Sequence, residues 1–279
     1  MNEPIFQLEN VCFSYDQDWL SLKNISLDIL PDQRLVILGV NGSGKSTLLK
    51  LLNGLIFANS GQFKAFGHRV NEELLENGEF ATFFRSQVAM VFQDSDIQLF
   101  SPTVLEDLMF GPLQLGLSKE QAASRVSDLL KMFSIDKLKN CSPNNLSGGE
   151  KKKVAIATSL STNPDVIMLD EPTNNLDPRT RVWLYQLIDR LANIGKTIIL
   201  STQDLELAKV FAQRIVVMDE EHKIVAVDSA EKILADKDLL LEVNLIHEHV
   251  HNHSGKDHIH PHYRTKEHKH DEKEVELVK

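Results

Sequence analysis

The sequence predicts an α/β fold built on a parallel β-sheet flanked by helices, with an antiparallel β region and a helical insertion. Three short apolar runs carry this prediction, because strands buried on both faces of a parallel sheet are continuously apolar. Apolar residues at helical spacing separate the runs, as expected where helices connect parallel strands. The runs are residues 34–39 (RLVILG), 165–170 (DVIMLD) and 196–202 (KTIILST).

The elements around these runs follow from their own patterns. Residues 5–15 and 25–30 alternate partly between apolar and polar residues, which predicts half-buried antiparallel strands. Apolar residues recur at helical spacing over about 117–138 and over 150–162. This predicts a helical insertion, at about residues 95–162, between the first and second core strands.

The last part of the chain divides near residue 246. Residues 214–228 predict a β-hairpin that turns around residues 220–222, and residues 229–246 predict a closing helix. Beyond this point the apolar content collapses. Residues 1–246 are therefore predicted to form one domain, and residues 247–279 a polar, disordered tail.

The composition is that of an ordinary soluble protein, with 279 residues and 42% hydrophobic content. The net charge is −10, and the tail holds seven acidic and six basic side chains, so residues 1–246 carry −9. This balance argues against nucleic-acid binding. No apolar run is long enough to span a bilayer, and the first residues lack the features of a signal peptide. Cys12 and Cys141 are far apart in sequence, which fits a reducing cytoplasm.

Residues 39–47 (GVNGSGKST) form a complete G-x-x-x-x-G-K-[ST] phosphate loop between a predicted strand and a predicted helix. Gly42 and Gly44 let backbone N–H groups face phosphates, and the helix N-terminus adds partial positive charge. Lys45 can reach the terminal phosphates, and Ser46 can ligate Mg²⁺. A glycine-rich turn that binds nothing would not require this context, so we predict a P-loop NTPase core. The loop residues predicted to contact the nucleotide are Gly39, Asn41, Gly42, Ser43, Gly44, Lys45, Ser46 and Thr47.

Two carboxylates directly follow the second core strand. Asp170 can hold the Mg²⁺ shell, and Glu171 beside it can polarise the attacking water. A solvated acidic loop is the alternative, but it would not explain why both residues follow four apolar ones at a strand end. The sequence therefore predicts Mg²⁺ beside the phosphates of a bound nucleotide.

Residues 146–160 (LSGGEKKKVAIATSL) resemble the signature sequence of ATP-binding-cassette ATPases, with Glu150 in place of the usual glutamine. The order of phosphate loop, signature and MLDEPT is also that of this family. The resemblance places Lys151–Lys153 on the helix after the signature, which explains this basic cluster without nucleic acid. It also implies a dimer in which each ATP lies between one phosphate loop and the other chain's signature. The signature residues implied to contact ATP are Ser147, Gly148 and Gly149.

Three further positions match the family one by one. Tyr15 resembles the aromatic residue that stacks on adenine, with Phe13 and Trp19 as nearby alternatives. Gln93 resembles the glutamine that touches Mg²⁺ and water and links the site to the membrane partner. Asp177 resembles the residue that communicates across the ATPase dimer.

Gln203 departs from the family pattern, which has histidine after the last core strand. Glutamine keeps a donor for the terminal phosphate but cannot become an imidazolium. Because Glu171 is present, hydrolysis is still expected. The departure leaves the rate open, including a slow site within an unequal pair of subunits.

Residues 91–118 are similar to the ATPases of energy-coupling-factor importers, especially in QLFSPTV, ED and FGP, and residues 233–245 (ILADKDLLLEVNL) are similar as well. The resemblance implies an ATPase subunit at the cytoplasmic face of the cell membrane. It further implies a dimer of such subunits, expected to be a homodimer, and separate membrane-spanning subunits.

The tail holds nine of the eleven histidines, many in H-x-H steps that offer overlapping chelates for nickel, cobalt, copper or zinc. Cobalt and nickel importers in this group carry histidine-rich elements, so the resemblance predicts a transition-metal cargo. An engineered tag fits poorly, because the spacing is irregular and acidic residues follow; a solvated metal buffer remains an alternative. The tail histidines are His247, His249, His251, His253, His258, His260, His262, His268 and His270.

Three other functions stay open at this stage. A vitamin is the alternative cargo, and a metal-binding or storage protein regulated by nucleotide is the alternative to a transporter subunit. A soluble cassette ATPase of translation or DNA repair is disfavoured, because the chain has neither tandem cassettes nor a long coiled-coil insertion.

Overall fold

The computed structural model describes residues 3–16, 19–76, 78–253 and 256–263. Its strands are β1 (Phe6–Asp16), β2 (Trp19–Ile29), β3 (Arg34–Leu38), β4 (Ser60–Ala65), β5 (His68–Arg69), β6 (Val88–Val91), β7 (Val166–Asp170), β8 (Thr197–Thr202), β9 (Arg214–Met218), β10 (Ile224–Ser229), β11 (Ile246–His253) and β12 (Lys256–Tyr263). Its α-helices are α1 (Lys45–Leu52), α2 (Glu72–Glu76), α3 (Glu79–Gln87), α4 (Val104–Gln114), α5 (Lys119–Phe133), α6 (Gly148–Leu160), α7 (Pro178–Asn193), α8 (Leu205–Phe211), α9 (Ala230–Ala235) and α10 (Lys237–Glu242).

The central sheet has six strands in the order β10-β9-β3-β8-β7-β6. The strands from β9 to β6 run parallel, and β10 pairs antiparallel with β9 at one edge. The three apolar runs form β3, β7 and β8, so the predicted parallel core is confirmed. The predicted hairpin is confirmed in β9 and β10.

Strand β3 is buried on both sides. Val36 and Leu38 pack into a core formed with α4 to α8, whereas Leu35 and Ile37 pack into a second core with α1 and the antiparallel sheet. All four side chains are fully buried. Each buried side chain of this kind stabilises the fold by about 1.5–3 kcal/mol, so the strand that leads into the phosphate loop is anchored from both faces.

A second sheet, with the order β2-β1-β4-β5, is antiparallel and covers one face of the central sheet. Strands β1 and β2 agree with the predicted pair, although β2 begins earlier, at Trp19. The sequence interpretation missed β4 and β5, which return after α1 to extend this sheet. Both are short, and β5 has only two residues, so neither contains enough alternation to be detected.

The helical insertion contains α4, α5 and α6, which pack against one another and confirm the prediction. Helix α5 opens with a capping box, in which the Ser118 hydroxyl accepts from Gln121 N and the Gln121 amide accepts from Ser118 N. Thr103 caps α4 in a similar way by accepting from Glu106 N. These caps satisfy backbone donors that a helix start leaves unpaired.

Two boundaries differ from the sequence predictions. The insertion follows β6, a parallel edge strand of only four residues that the apolar runs did not reveal. The predicted closing helix is two helices, α9 and α10, which meet at Asp236. The Asp236 carboxylate accepts from Leu239 N at 3.0 Å, and this cap starts a new helix rather than continuing the first.

Where the sequence predicts a disordered tail, the structure pairs β11 with β12 as a separate two-stranded antiparallel sheet. The H-x-H steps repeat with the two-residue period of a strand, which is compatible with this backbone. An isolated two-stranded hairpin is only marginally stable in water. Residues 264–279 lie outside the described part of the chain. Among the helices that are described, none is long and apolar enough to cross a bilayer.

Candidate nucleotide-binding site

The phosphate loop forms the turn between β3 and α1. Gly42 and Gly44 have left-handed backbone conformations, with φ of 87° and 100°. At Gly44 a Cβ atom would lie 2.7 Å from the Ser21 carbonyl oxygen, so both the dihedral angle and the close approach of β2 require glycine there. The loop is therefore folded tightly against the antiparallel sheet.

The loop ends in the N-terminus of α1, which has Gly44 as its N-cap and no side-chain cap. The first N–H groups of a helix have no partner within the helix, and the helix dipole favours an anion beside them. Asn41 and Gly42 form the exposed part of the loop, while Ser43 and Thr47 are buried below it. This end of α1 is thus arranged to receive phosphate.

Lys45 is almost fully buried at the base of the loop. Its Nζ donates to the carbonyl oxygens of Gly39 at 2.8 Å and Val40 at 3.0 Å, and it lies 3.4 Å from Glu171 Oε1. Burial lowers the pKa of Lys45, and the carboxylates of Glu171 and Asp170 oppose this effect. The ammonium group is thus held beside the loop by carbonyl oxygens and one carboxylate.

Asp170 is the last residue of β7 and is buried. Its Oδ1 accepts hydrogen bonds from Ser46 Oγ at 3.0 Å and from Ser201 Oγ on the adjacent strand β8. The structure therefore brings together Ser46 and Asp170, two of the three predicted Mg²⁺ ligands, from distant parts of the sequence. Their hydroxyl and carboxylate oxygens are the ligand type that Mg²⁺ prefers.

Glu171 is also buried and has a left-handed backbone conformation, with φ of 41°. Its N–H donates to the Ser201 carbonyl oxygen at 3.1 Å, and Thr202 Oγ1 donates to its Oε2 at 3.3 Å. Burial raises the pKa of Glu171, and the Lys45 charge opposes the rise. A non-glycine residue in this backbone region is held there by its surroundings, and a buried carboxylate of raised pKa is a stronger proton acceptor.

A cleft of about 550 Å³ brings Gln93 to the same region. It is lined by Ser46 and Asp170, by the segment 92–97 that carries Gln93, and by Gly148 at the start of α6. Three predicted Mg²⁺ ligands therefore face one cleft. A smaller cavity of about 220 Å³ holds Gln203 together with Glu171 and Asn41.

The aromatic candidates for adenine differ in exposure. Phe13 is buried, and its ring lies nearly perpendicular to that of Tyr15 with 4.9 Å between centroids, so it is not accessible to a base. Tyr15 is 56% exposed, and Lys50 Nζ on α1 lies 5.9 Å from its ring centroid. Trp19 is also exposed, but its Nε1 donates to His222 Nε2 at 3.3 Å. Tyr15 is the exposed ring that lies beside the helix of the phosphate loop.

The signature lies at the start of α6. Ser147 is the N-cap and forms a capping box with Glu150, whose carboxylate accepts from Ser147 N at 2.9 Å. This hydrogen bonding lowers the pKa of Glu150. The glutamate that stands in place of the usual glutamine therefore caps the start of α6. Ser147 and Gly148 are exposed, and a Cβ at Gly148 would meet only open space.

Asp177 is the N-cap of α7. Its carboxylate accepts from Arg179 N at 2.9 Å, from Thr180 N at 3.1 Å and from Thr180 Oγ1 at 2.6 Å, and these bonds lower its pKa. A Cβ added to Gly149 would lie 3.3 Å from Thr180 Oγ1. Within one chain, Asp177 thus acts as a cap on which the signature turn packs.

The metal prediction for the tail falls largely outside this description. His268 and His270 lie beyond the described residues. For the other seven tail histidines the structure gives the backbone pairing, which aligns His247 with His262, His249 with His260 and His251 with His258. Among the side chains that are described, no three His, Cys, Asp or Glu residues are grouped to hold a metal ion.

One buried lysine near the site was not recognised from sequence. Lys152 is 3% exposed, and its Nζ donates to the carbonyl oxygens of Phe92 and Gln93. Burial lowers its pKa to about 8, while Asp170 and Asp94 oppose the shift. Its helical spacing with Ala155, Ile156 and Ser159, which form the buried face of α6, was the available signal.

A glycine-rich loop at a helix N-terminus, with a buried lysine and two buried carboxylates beside it, is the arrangement expected of an α/β nucleotide hydrolase. A family model described as "ABC transporter" matches residues 22–174. A putative ABC transporter ATP-binding protein of Methanosarcina acetivorans is 50% identical over 272 residues, which are 96% of this chain and 99% of the relative. The nickel import ATP-binding protein NikO of Rhodobacter capsulatus is 40% identical and covers 87% of this chain and 96% of its own.

Solved structures agree with this assignment. CbiO1 of Clostridium perfringens, described as part of the ABC transporter complex cbiONQ, matches with a TM-score of 0.72 at 32% identity, over 88% of this chain and 96% of its own. A dimeric ATP-binding cassette in a post-hydrolysis state with ADP and Pi matches with a TM-score of 0.72 at 29% identity, over 81% and 98%. The chain belongs to the ABC transporter family and is an ATPase that hydrolyses ATP for transport.

Proposed function

We propose that this chain is the ATP-hydrolysing subunit of an energy-coupling-factor importer that takes up a transition-metal ion, nickel or cobalt. Residues 1–246 would form the ATP-binding domain, and residues 247–279 a metal-binding tail. The observation that carries the catalytic part is the buried cluster of Lys45, Asp170 and Glu171 beneath the phosphate loop. The cargo is supported by the nine tail histidines and by the nickel-import relative.

In the proposed reaction, the loop N–H groups and Lys45 bind the ATP phosphates. Ser46, Asp170 and Gln93 would hold Mg²⁺, which neutralises charge on the phosphates when bound. Glu171 accepts the proton of the water that attacks the terminal phosphorus, as the bond to the bridging oxygen breaks. Gln203, in the cavity it shares with Glu171, donates to the terminal phosphate.

Lys45 and Glu171 are expected to change partners when ATP binds. In the structure their opposite charges lie 3.4 Å apart, while the Lys45 ammonium group donates its hydrogen bonds to the two loop carbonyl oxygens. A terminal phosphate in the loop offers Lys45 a more highly charged partner, which releases Glu171 Oε1 for water. The base would thus become available only when substrate is bound.

We propose a homodimer in which each ATP lies between one chain's loop and the other chain's Ser147, Gly148 and Gly149. The exposed start of α6 supports this arrangement, because its N–H groups and dipole suit a phosphate. The dimeric relative also supports it. ATP binding would close the dimer and hydrolysis would reopen it, with Asp177 beneath the signature turn at the junction and Tyr15 stacked on adenine.

The membrane-spanning subunits are proposed to be separate chains, with this subunit at the cytoplasmic face. The helical insertion carries exposed apolar side chains close to the Gln93 segment, and Phe100 and Phe110 pack edge to face at 5.0 Å. Such a patch suits a protein partner. The CbiO1 relative supports this proposal, since it belongs to a multi-subunit transporter complex.

The tail is proposed to bind the cargo metal through imidazoles. The strand register aligns three pairs of these histidines across the two strands. The repeated H-x-H steps of the sequence support chelation by more than one imidazole. A vitamin cargo remains the competing proposal, because the energy-coupling-factor resemblance by itself names no metal.

Uptake by cells that express the full chain with its membrane partners tests the cargo. Radiolabelled nickel and cobalt should accumulate in proportion to active subunit, and a labelled vitamin should not. Glu171→Gln is the matched control, because it abolishes turnover while retaining the chain and its tail. Equal metal uptake with the parent and with Glu171→Gln would contradict the proposal. Accumulation of the vitamin with the parent but not with Glu171→Gln would show that the cargo is a vitamin instead of a metal.

A further inference from the structure

The segment that carries Gln93 is attached to the signature helix by a buried positive charge. Lys152 Nζ donates to the carbonyl oxygen of Phe92 at 3.0 Å and to that of Gln93 at 3.1 Å. Lys152 lies just over one turn into α6, and its side chain is enclosed. A buried ammonium group that has these carbonyls as acceptors fixes the backbone of Gln93 relative to the helix.

A second attachment lies at the other end of the same segment. Gln98 Nε2 donates to the Ala155 carbonyl oxygen at 2.9 Å and to Ser159 Oγ at 2.8 Å, while Gln98 Oε1 accepts from Phe92 N at 3.2 Å. Ser159 Oγ in turn donates to the Met90 carbonyl oxygen at 3.1 Å. The segment is therefore fixed to α6 at both ends by side chains of the buried helix face.

The attachments connect two functional surfaces. The exposed Gln93 side chain faces the cleft that Ser46 and Asp170 line. The position of the Gln93 backbone therefore decides whether this side chain reaches the phosphates and Mg²⁺ bound at the phosphate loop of the same chain. The start of α6 at Gly148, four residues before Lys152, belongs to the exposed signature.

We propose that Lys152, assisted by Gln98, is a positioning residue that holds Gln93 in place for the reaction. Through the same contacts it links the ATP site of one chain to that chain's own signature, which contacts the second ATP of the dimer. The linkage rests on the proposed dimer, whereas the positioning of Gln93 needs only one chain. Lys152 touches no reacting atom and acts through Gln93. If α6 moves together with the Gln93 segment, ATP binding or hydrolysis in one site would shift the signature that contacts the ATP in the other site.

Lys152→Met is the principal variant, because it keeps the apolar stem and removes both hydrogen bonds. Lys153→Met is the matched control: it is the same substitution one residue later, where Nζ lies 5.1 Å from the Trp183 ring centroid and away from the segment. The full-length proteins are compared in thermal unfolding, ATP affinity, KM, kcat and the cooperativity of ATP hydrolysis.

Lys152→Met is expected to bind ATP within about threefold of the parent, because the phosphate loop is unchanged, and to lose about tenfold or more in kcat. Cooperativity should fall, and Lys153→Met should match the parent. Gln93→Ala should also lower kcat, and adding Lys152→Met to it should cause little further loss, since both changes remove the same positioning. A merely structural role of Lys152 would give additive losses in that pair.

Parental kcat in Lys152→Met, an equal loss in Lys153→Met, or additive losses with Gln93→Ala would overturn the proposal. If Lys152→Met does not fold, Gln98→Ala and Ser159→Ala decide by the same measurements, and parental kcat in both would overturn it. If the parent protein hydrolyses ATP without cooperativity, that result contradicts the proposed dimer. The comparison of kcat between parent and variants still tests whether Lys152 positions Gln93.

Discussion

Lys45→Ala is expected to weaken ATP binding and also to destabilise the nucleotide-free protein. Lys45 and Glu171 are each only 5% exposed and lie 3.4 Å apart. Removing one partner of a buried pair typically costs about 3–5 kcal/mol, because the remaining charge is uncompensated. Here the remaining carboxyl can take up a proton, so the expected loss of unfolding free energy is at the lower end, about 3 kcal/mol.

The pH dependence of this loss follows from Glu171. Burial raises its pKa and Lys45 opposes the rise, so removing Lys45 raises the pKa further. A group whose pKa is raised by folding binds its proton more tightly in the folded state, and stability is lost as the pH rises from its unfolded pKa to its folded pKa. The difference in unfolding free energy between parent and Lys45→Ala should therefore shrink as the pH falls towards the ordinary glutamate range.

Urea unfolding of the full-length parent, Lys45→Ala, Glu171→Gln and the double variant, without nucleotide and across pH, measures this effect. Glu171→Gln alone should cost less, because Lys45 keeps its two carbonyl acceptors. The double variant should recover about 1–3 kcal/mol relative to the sum of the single losses. Strictly additive losses that do not change with pH would refute the assignment of a coupled buried pair.

Further predictions concern the reaction, the tail and the loop. Glu171→Gln should retain ATP binding and stop turnover, because it removes the base for water; steady-state ATPase at the parental rate would contradict this role. Gln203→His should leave ATP affinity within a few fold and raise hydrolysis or make it more pH-dependent, and Gln203→Ala should lower it; one donor at such a site is worth about 10²–10³ in rate, and equal rates for all three proteins would make the position a bystander. Deleting residues 247–279 should leave ATPase nearly intact and abolish tight nickel or cobalt binding in calorimetric titration; undiminished binding would locate the metal site in the body. Gly44→Ala should lower the free energy of unfolding by more than the roughly 1–2 kcal/mol of left-handed strain expected for Gly67→Ala, because of these two positions only Gly44 would bring the Cβ against a backbone oxygen. Equal losses of unfolding free energy in the two variants would contradict this contact.

The parts of the fold that could be predicted are those with strong local patterns. Strands β3, β7 and β8 are continuous apolar runs because the sheet is covered on both faces, and α5 and α6 have clear helical spacing. Strands β4, β5 and β6 have two to six residues, too few for a period to be measured. Strands β4 and β6 form by pairing with β1 and β7, which are distant in sequence, and β5 then pairs with β4.

The sequence by itself determined the phosphate loop, the carboxylates after β7 and the signature, because each is a contiguous run whose chemistry and local backbone are set by neighbouring residues. Tertiary structure decided that Phe13 is buried while Tyr15 is exposed, that Lys45 pairs with Glu171, and that Lys152 holds the Gln93 segment. The last contact joins residues 59 positions apart. Such contacts depend on how α6 packs against β6: helical spacing indicates the buried face of α6, but only the tertiary structure brings the carbonyl groups of Phe92 and Gln93 to the Lys152 ammonium.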